Sequence, residues 1–347
     1  NFYVAGEKLT GEILLNLPSA RGPGRIHIKT LGIETVTITK ANGDVSSAES
    51  EVFHMSTTLV DWEEFTPPGQ YVFPFSFKLP HYAPATFHLN TINFDNNKIE
   101  AKITYNIHAD LETEQSPISD SRIITIHNRN TRVSRQYSVN VSHPLVSCFC
   151  FNRGASSLNL SYLGPENSQI GKTSNFKLII DNRATQARIV SIVGQVLFEL
   201  SVQVPGDKTY VFTSLVSRFS PRLDGGNPNE LLFDSDLSKI PFGINPSSNE
   251  SSLIQAQYKV QVFVLYDVGC RTKRSEITLG IHVNPKVAEE REIKLPSDWN
   301  PKENSTSNLI LQSSSGVPIS SPKSATLPKS PKKMDFNSIR TFNNDTK

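Results

Sequence analysis

Residues 67–84 read PPGQYVFPFSFKLPHYAP, and five large apolar side chains, Tyr71, Phe73, Phe75, Phe77 and Leu79, occupy every second position between two proline-rich brackets. Successive side chains of a strand point to opposite faces, so this spacing predicts one buried apolar face, with Val72, Pro74, Ser76 and Lys78 on the other. Pro74 has no amide to donate and predicts an edge or bulged strand. Prolines beside aromatics also suggest a ligand for a proline-recognising domain, but the strict alternation favours a core strand.

Outward from this stretch, strand signals dominate from Gly6 to about His282. GEILLNL, RIHIKTLGIETVTIT, KIEAKITYNIHADL, SRIITIH, NFKLIIDN, RIVSIVGQVLFELSV, KTYVFTSLVS and AQYKVQVFVLYDV are β-branched and aromatic, and turn residues separate them. In AKITYNIHADL, Ile103, Tyr105 and Ile107 share one face while Lys102, Thr104, Asn106 and His108 share the other, as in an antiparallel sheet with one wet side. Few or no helices are predicted; TTLVDWEEF alone suggests a short helical turn. Many short strands with Gly, Pro and Asn punctuation predict sandwiches, and 347 residues allow two of them in tandem. A break falls near VSHPLVS. A faint echo between YVAGEKLTGEILL and YLGPENSQIGKTSNFKLII fits two similar domains.

The expected organisation is therefore a β-sandwich over residues 1–143, a second over 144–286, and a Ser-, Pro- and Lys-rich tail over 287–347, too poor in apolar side chains to fold. From Gln312 onward the tail holds Lys323, Lys329, Lys332, Lys333, Arg340 and Lys347 against Asp335 and Asp345, six basic and two acidic residues, hence cationic by four. Ser321 and Ser330, each before a proline and near lysine, are candidate phosphosites. Phe336, Ile339 and Phe342 stand three apart, as in a short docking element.

Composition narrows the function classes. A net charge of +2 with both signs mixed does not point to nucleic acid. Three cysteines, Cys148, Cys150 and Cys270, form no disulfide framework and suit a reducing compartment. No apolar run reaches the roughly 18 residues a membrane span needs. A cytoplasmic protein is expected, although Asn-x-Ser/Thr sites at Asn140, Asn159, Asn249, Asn304 and Asn344 keep an extracellular adhesion or interaction protein as the alternative.

Chemistry-bearing motifs are scarce. GKT at Gly171 to Thr173 has Glu166 where a phosphate loop needs glycine, so a hairpin turn into NFKLIID is expected. The histidines, among them His27, His54, His81, His88, His108 and His127, show no metal-ligand spacing, and no nucleophile elbow occurs. No enzyme, metal or cofactor is expected. Cys148 and Cys150 are expected to be small, packed side chains.

Taken in order along residues 1 to 285, these features resemble the arrestin family, most closely the α-arrestins or arrestin-domain-containing proteins. YVAGEKLTGEI (Tyr3, Gly6, Glu7, Gly11) is similar to the family's N-domain entry. PPGQYVFPFSFKLP (Gly69, Tyr71, Phe73, Phe75, Phe77, Leu79, Pro80) resembles its most recognisable strand. CFCFNRGASSLNLSYL resembles the start of the C-domain, FKLIIDNRAT its strand ending in Asn, and KIPFGINPSSNESSLIQAQYKVQVFV its late segment. The resemblance implies two tandem immunoglobulin-like sandwiches, an all-β arrestin fold, with the first strand expected upstream of Asn1. It implies an adaptor that binds cytoplasmic tails or loops of membrane receptors or transporters, phosphorylated ones among them, and links them to ubiquitin ligase or coat components at the plasma membrane or endosomes. Arg25, Lys29, Lys102 and Arg122 are the candidate phosphate contacts by residue type and strand context. Glu230, Asp234 and Asp236 supply acids where relatives carry a phosphate-sensitive lock. The sequence contains no P-P-x-Y motif for ligase recruitment.

Overall fold

The computed structural model describes residues 2–128, 138–146, 152–164, 168–185, 187–204, 206, 209–223, 229–237, 240, 245–269, 271–287, 293–295 and 297–303. The described residues fall in one compact unit. In chain order the strands are β1 (Phe2–Val4), β2 (Lys8–Leu17), β3 (Gly24–Thr39), β4 (Val45–Trp62), β5 (Gly69–Lys78), β6 (Phe87–Ile92), β7 (Lys98–Thr113), β8 (Ile118–His127), β9 (Ser138–Val146) and β10 (Asn152–Tyr162). They continue as β11 (Ser168–Gln169), β12 (Thr173–Asp181), β13 (Arg188–Gln203), β14 (Thr209–Phe219), β15 (Glu230–Asp236), β16 (Asn249–Glu250), β17 (Ile254–Asp267), β18 (Thr272–Ile281), β19 (Val283–Asn284) and β20 (Lys302–Glu303). No α-helix occurs among the described residues. In Thr57 to Phe65, the stretch with helical promise, Thr57 to Trp62 are the end of β4 and Glu63 to Phe65 follow it without helix. Its β-branched residues keep the strand, and among the described residues no strand pairs with its outer edge.

Two sandwiches result. In the first, the order β1-β8-β7-β3-β4, with β6 on β7, faces a sheet of β2, β5 and β20. The long strand β3 alternates strictly: Ile26, Ile28, Val36 and Ile38 are buried, and the odd-numbered residues from Arg25 to Thr39 face outward. Trp62 of β4 meets Tyr71 and Phe73 of β5 edge-on, with ring centroids 6.0 Å apart, and ties the two layers together. In the second sandwich, β15-β12-β10-β9 packs on β14-β13-β17, with β16 and β18 sharing the far edge of β17. Phe219 of β14 stacks on Phe233 of β15 at 3.9 Å, and the hydroxyls of Ser156 and Tyr266 meet at 2.6 Å between layers.

The quoted stretch is β5. It pairs with β2 from Lys8↔Lys78 to Leu17↔Gly69 without a register shift, so Pro74 causes no bulge. Among the described residues its other edge is covered only where Lys302 and Glu303 run parallel to Tyr71 and Val72, so that none of them pairs with Pro74 there, as its missing amide requires. Tyr71, Phe73, Phe77 and Leu79 are buried, whereas Phe75 is only half-buried, so the expected inward face has one exception. The two signature segments form one unit: the Leu79 amide bonds to Glu7 O at 2.9 Å, and Tyr71 OH closes the proline bracket on Pro67 O at 3.0 Å. Gly6 turns the chain at φ 86° between Val4 and Glu7, with the His81 ring where a Cβ would sit.

Two expected boundaries shift. Ser138–Val146 runs through the expected break at 143 and is laddered on β10, so it belongs to the second sandwich. Alternation in SVNVSHPLV fixes a strand but not its partner. Residues beyond 287 are not uniformly without structure, because Lys302 and Glu303 add to β5 and the Asn300 amide bonds to Gln70 Oε1 at 2.5 Å. Backbone pairing at an open edge needs no apolar side chains, which is why the composition of the tail does not reveal it. Gly171 turns the chain at φ 88° into β12, but β11 ahead of it pairs in parallel with β19 and not with β12, so the expected hairpin does not form.

Candidate functional site at the joint between the sandwiches

The inward row of β3 runs Ile26, Ile28, Thr30, Gly32, Glu34, Val36, Ile38. Glu34 is 1% exposed, and among the described residues no cation pairs with it. Its partners come from the turn that leads into β17 of the second sandwich. The Ser251 hydroxyl contacts Oε1, the Ser252 hydroxyl donates to Oε2 at 2.6 Å, and the Leu253 amide donates to Oε1 at 3.1 Å. A buried carboxylate must be hydrogen-bonded or neutralised, and here donors from the other sandwich supply the whole requirement. An acid on the inward parity of a long alternating strand was the sequence signal for this site.

The segment 245–253 acts as a strap across the joint. Asn245 and His88 exchange backbone bonds at 2.9 and 3.0 Å, and the Ser247 hydroxyl donates to Thr86 O at 2.8 Å. On the other side, the Ser248 amide bonds to Val283 O at 2.7 Å, the Val283 amide to Ser248 Oγ at 2.9 Å, and Tyr258 OH to Pro246 O at 2.6 Å. Every serine of PSSNESSL therefore has a structural duty, which a Ser-rich composition disguises as a loop.

Two buried histidines flank the strap, His127 at the end of β8 and His282 after β18. Burial lowers both imidazoles to about 4; a bond to the backbone of Pro285 partly opposes this for His127. For His282 the side chain of Asn284 opposes it, and His127 itself lowers it further. Each Nε2 is buried without a hydrogen-bond partner, and Phe2 stacks on His127 at 4.1 Å. The arrangement holds both rings neutral.

The sequence-selected cations are elsewhere and already engaged. Arg25, Lys29 and Lys102 share the outer face of the six-stranded sheet. Arg25 pairs with Glu112 at 3.2 Å, Lys29 with Asp110 at 2.9 Å, and Lys102 with Glu100. The hydrogen bond to Asp110 raises the Lys29 ammonium above its ordinary value, and the one from Lys102 lowers Glu100. Arg122 stands opposite Ile107, on the other parity of the sheet, and does not join them. Residue type identified four cations, but register separates one and neighbouring carboxylates neutralise three. Glu230 pairs with Lys177 at 2.8 Å and Asp234 is exposed, so the joint's acid is Glu34 instead. Ser321, Ser330, Phe336, Cys148, Cys150 and Cys270 lie outside the described residues.

Residues 1–140 match the family model of the arrestin (or S-antigen) N-terminal domain. No curated protein matches the chain.

Proposed function

We propose, from the match of residues 1–140 to the arrestin N-terminal domain, that the chain is an arrestin-like cytoplasmic adaptor that binds cytoplasmic tails or loops of membrane receptors or transporters and links them to trafficking, endocytosis or ubiquitination machinery. Arrestin-family proteins are non-enzymatic adaptors. The observation that carries the reading is the family match laid on two sandwiches joined by a hydrogen-bonded strap, an arrangement that presents two large sheet surfaces in fixed relation. Adaptors need such surfaces more than clefts.

Arg25, Lys29 and Lys102 on the outer face, each paired with a carboxylate, support acidic or phosphorylated segments as ligands once Glu112, Asp110 and Glu100 give way to a stronger anion. Asn249, one of the five sequon asparagines, is 6% exposed inside the strap, which disfavours a glycosylated extracellular role for it. Proximity labelling of the full chain in its own cells, followed by pull-down with receptor and transporter tails, tests the proposal. Membrane-protein tails and ligase or coat subunits are the expected captures; labelling confined to secreted or extracellular proteins would overturn it.

A further inference from the structure

Glu34 is a buried carboxylate whose charge is met by donors alone, two of them hydroxyls that chemistry can remove. Ser251 is half-buried and its hydroxyl also reaches Ile254 O at 2.8 Å. Ser252 is exposed, yet its hydroxyl bonds Glu34 Oε2 at 2.6 Å across the joint. It therefore combines access from solvent with a contact that holds the two sandwiches together.

We propose that Ser252 is a phosphorylation site that releases the strap. A protein kinase using ATP would form the Ser252 Oγ–P bond, break the bond between the γ-phosphorus and the bridging oxygen, release ADP, and pass the serine proton to a base. The product deletes a donor to Glu34 and sets roughly −1.5 to −2 charges beside a buried carboxylate. No cation among the described residues pairs with Glu34 to absorb that charge. A phosphate at Ser252 repels the buried Glu34 and can turn outward into solvent, so Glu34 loses the Ser251–Leu253 turn. The Asn245–His88 exchange and the Ser247–Thr86 bond lie on the same strap and loosen with it. The inference rests on the geometry of the joint and not on any cargo.

The test installs phosphoserine genetically at position 252 of the full chain and follows amide hydrogen exchange. Exchange at Thr86 to His88 and Asn245 to Leu253 is expected to rise at least tenfold, while the amides of β13 and β17 keep their protection. Ser252→Ala, which removes one bond without adding charge, is expected to give a smaller rise. In a Glu34→Gln background the phosphoserine effect is expected to shrink, because the repelling charge is gone. That pair also keeps the idea testable if the phosphoserine chain fails to fold. A phosphoserine effect no larger than that of alanine, or one undiminished by Glu34→Gln, would overturn the proposal. So would phosphopeptide mapping of the chain from its own cells that covers Ser252 and finds it unmodified.

Discussion

Gly11 lies directly across the β2–β5 ladder from Phe75, and a Cβ placed on it would come within 2.4 Å of the Phe75 ring. The glycine of the entry motif and the middle aromatic of the strand motif are thus one packing decision. Gly11→Ala is expected to cost about 1–3 kcal/mol, because the ring must leave its place. Combined with Phe75→Ala, the penalty is expected to fall well short of the sum, since the alanine then fills the space the ring vacated. Urea titration of the four chains of this cycle measures the coupling; strict additivity would show that the two residues do not share the site.

Along β5 the aromatic substitutions are expected to differ in cost. Phe73 is fully buried and touches both Trp62 and Tyr71, whereas Phe75 is half-exposed. Phe73→Ala is expected to destabilise the first sandwich by about 3–5 kcal/mol. Phe75→Ala is expected to cost less than Phe73→Ala, because it surrenders less buried apolar area. Thermal unfolding followed by tryptophan emission reports on this directly, since Trp62 sits on the Phe73 ring; equal losses would contradict the packing described.

The period-two alternation of β3, β5, β7 and β17 made the all-β class legible, and the order of motifs made the family legible. Partner choice was not. A strand pattern says which face is buried, but β9 joined the second sandwich and Lys302–Glu303 joined β5 through backbone bonds that leave no side-chain signature. The joint was half-written: Glu34 stood on an inward parity, yet its donors arrive from 217 to 219 residues away. The phosphate candidates were chosen by residue type and strand context; Glu100, two residues before Lys102 on β7, was legible in the sequence, but only register showed Glu112 and Asp110 beside Arg25 and Lys29 and Arg122 on the other parity.

Those carboxylates lead to a prediction about anion binding. Lys29 and Asp110 are exposed enough that their pair contributes at most about 1 kcal/mol to stability, so Asp110→Asn is expected to leave the unfolding midpoint nearly unchanged. It should, however, release the Lys29 ammonium toward solvent anions. Affinity of the full chain for a multiply phosphorylated peptide, measured by fluorescence anisotropy at low salt, is expected to rise severalfold in Asp110→Asn and to fall in Lys29→Ala. No change in either variant would remove this face from consideration as the phosphate contact.

The buried histidines set the behaviour in mild acid. Unfolded, each imidazole titrates near 6.5; folded, His127 and His282 titrate at about 4. Above pH 6.5 both states hold neutral rings and the pair gives no pH dependence. As the pH falls from 6.5 toward 4 the unfolded chain takes up protons that the fold excludes, so stability drops, by up to about 3 kcal/mol per ring at full separation of the two values. Below 4 the loss levels off. Asp181, lowered to about 2 by the Arg183 guanidinium, loses its favourable interaction only below its ordinary carboxylate range, so its acid response falls outside the window from pH 6.5 to 4.5. Within that window the urea midpoint of the native chain is expected to decline steadily, and that of His127→Asn combined with His282→Asn to decline much less. Because the two rings come from opposite sides of the joint, the amides of Ala5 and Ser168, which bond to His127 O and His282 O, should lose protection first as acid is added. Parallel slopes for the two chains would mean that other groups, and not this pair, govern the acid response of the joint.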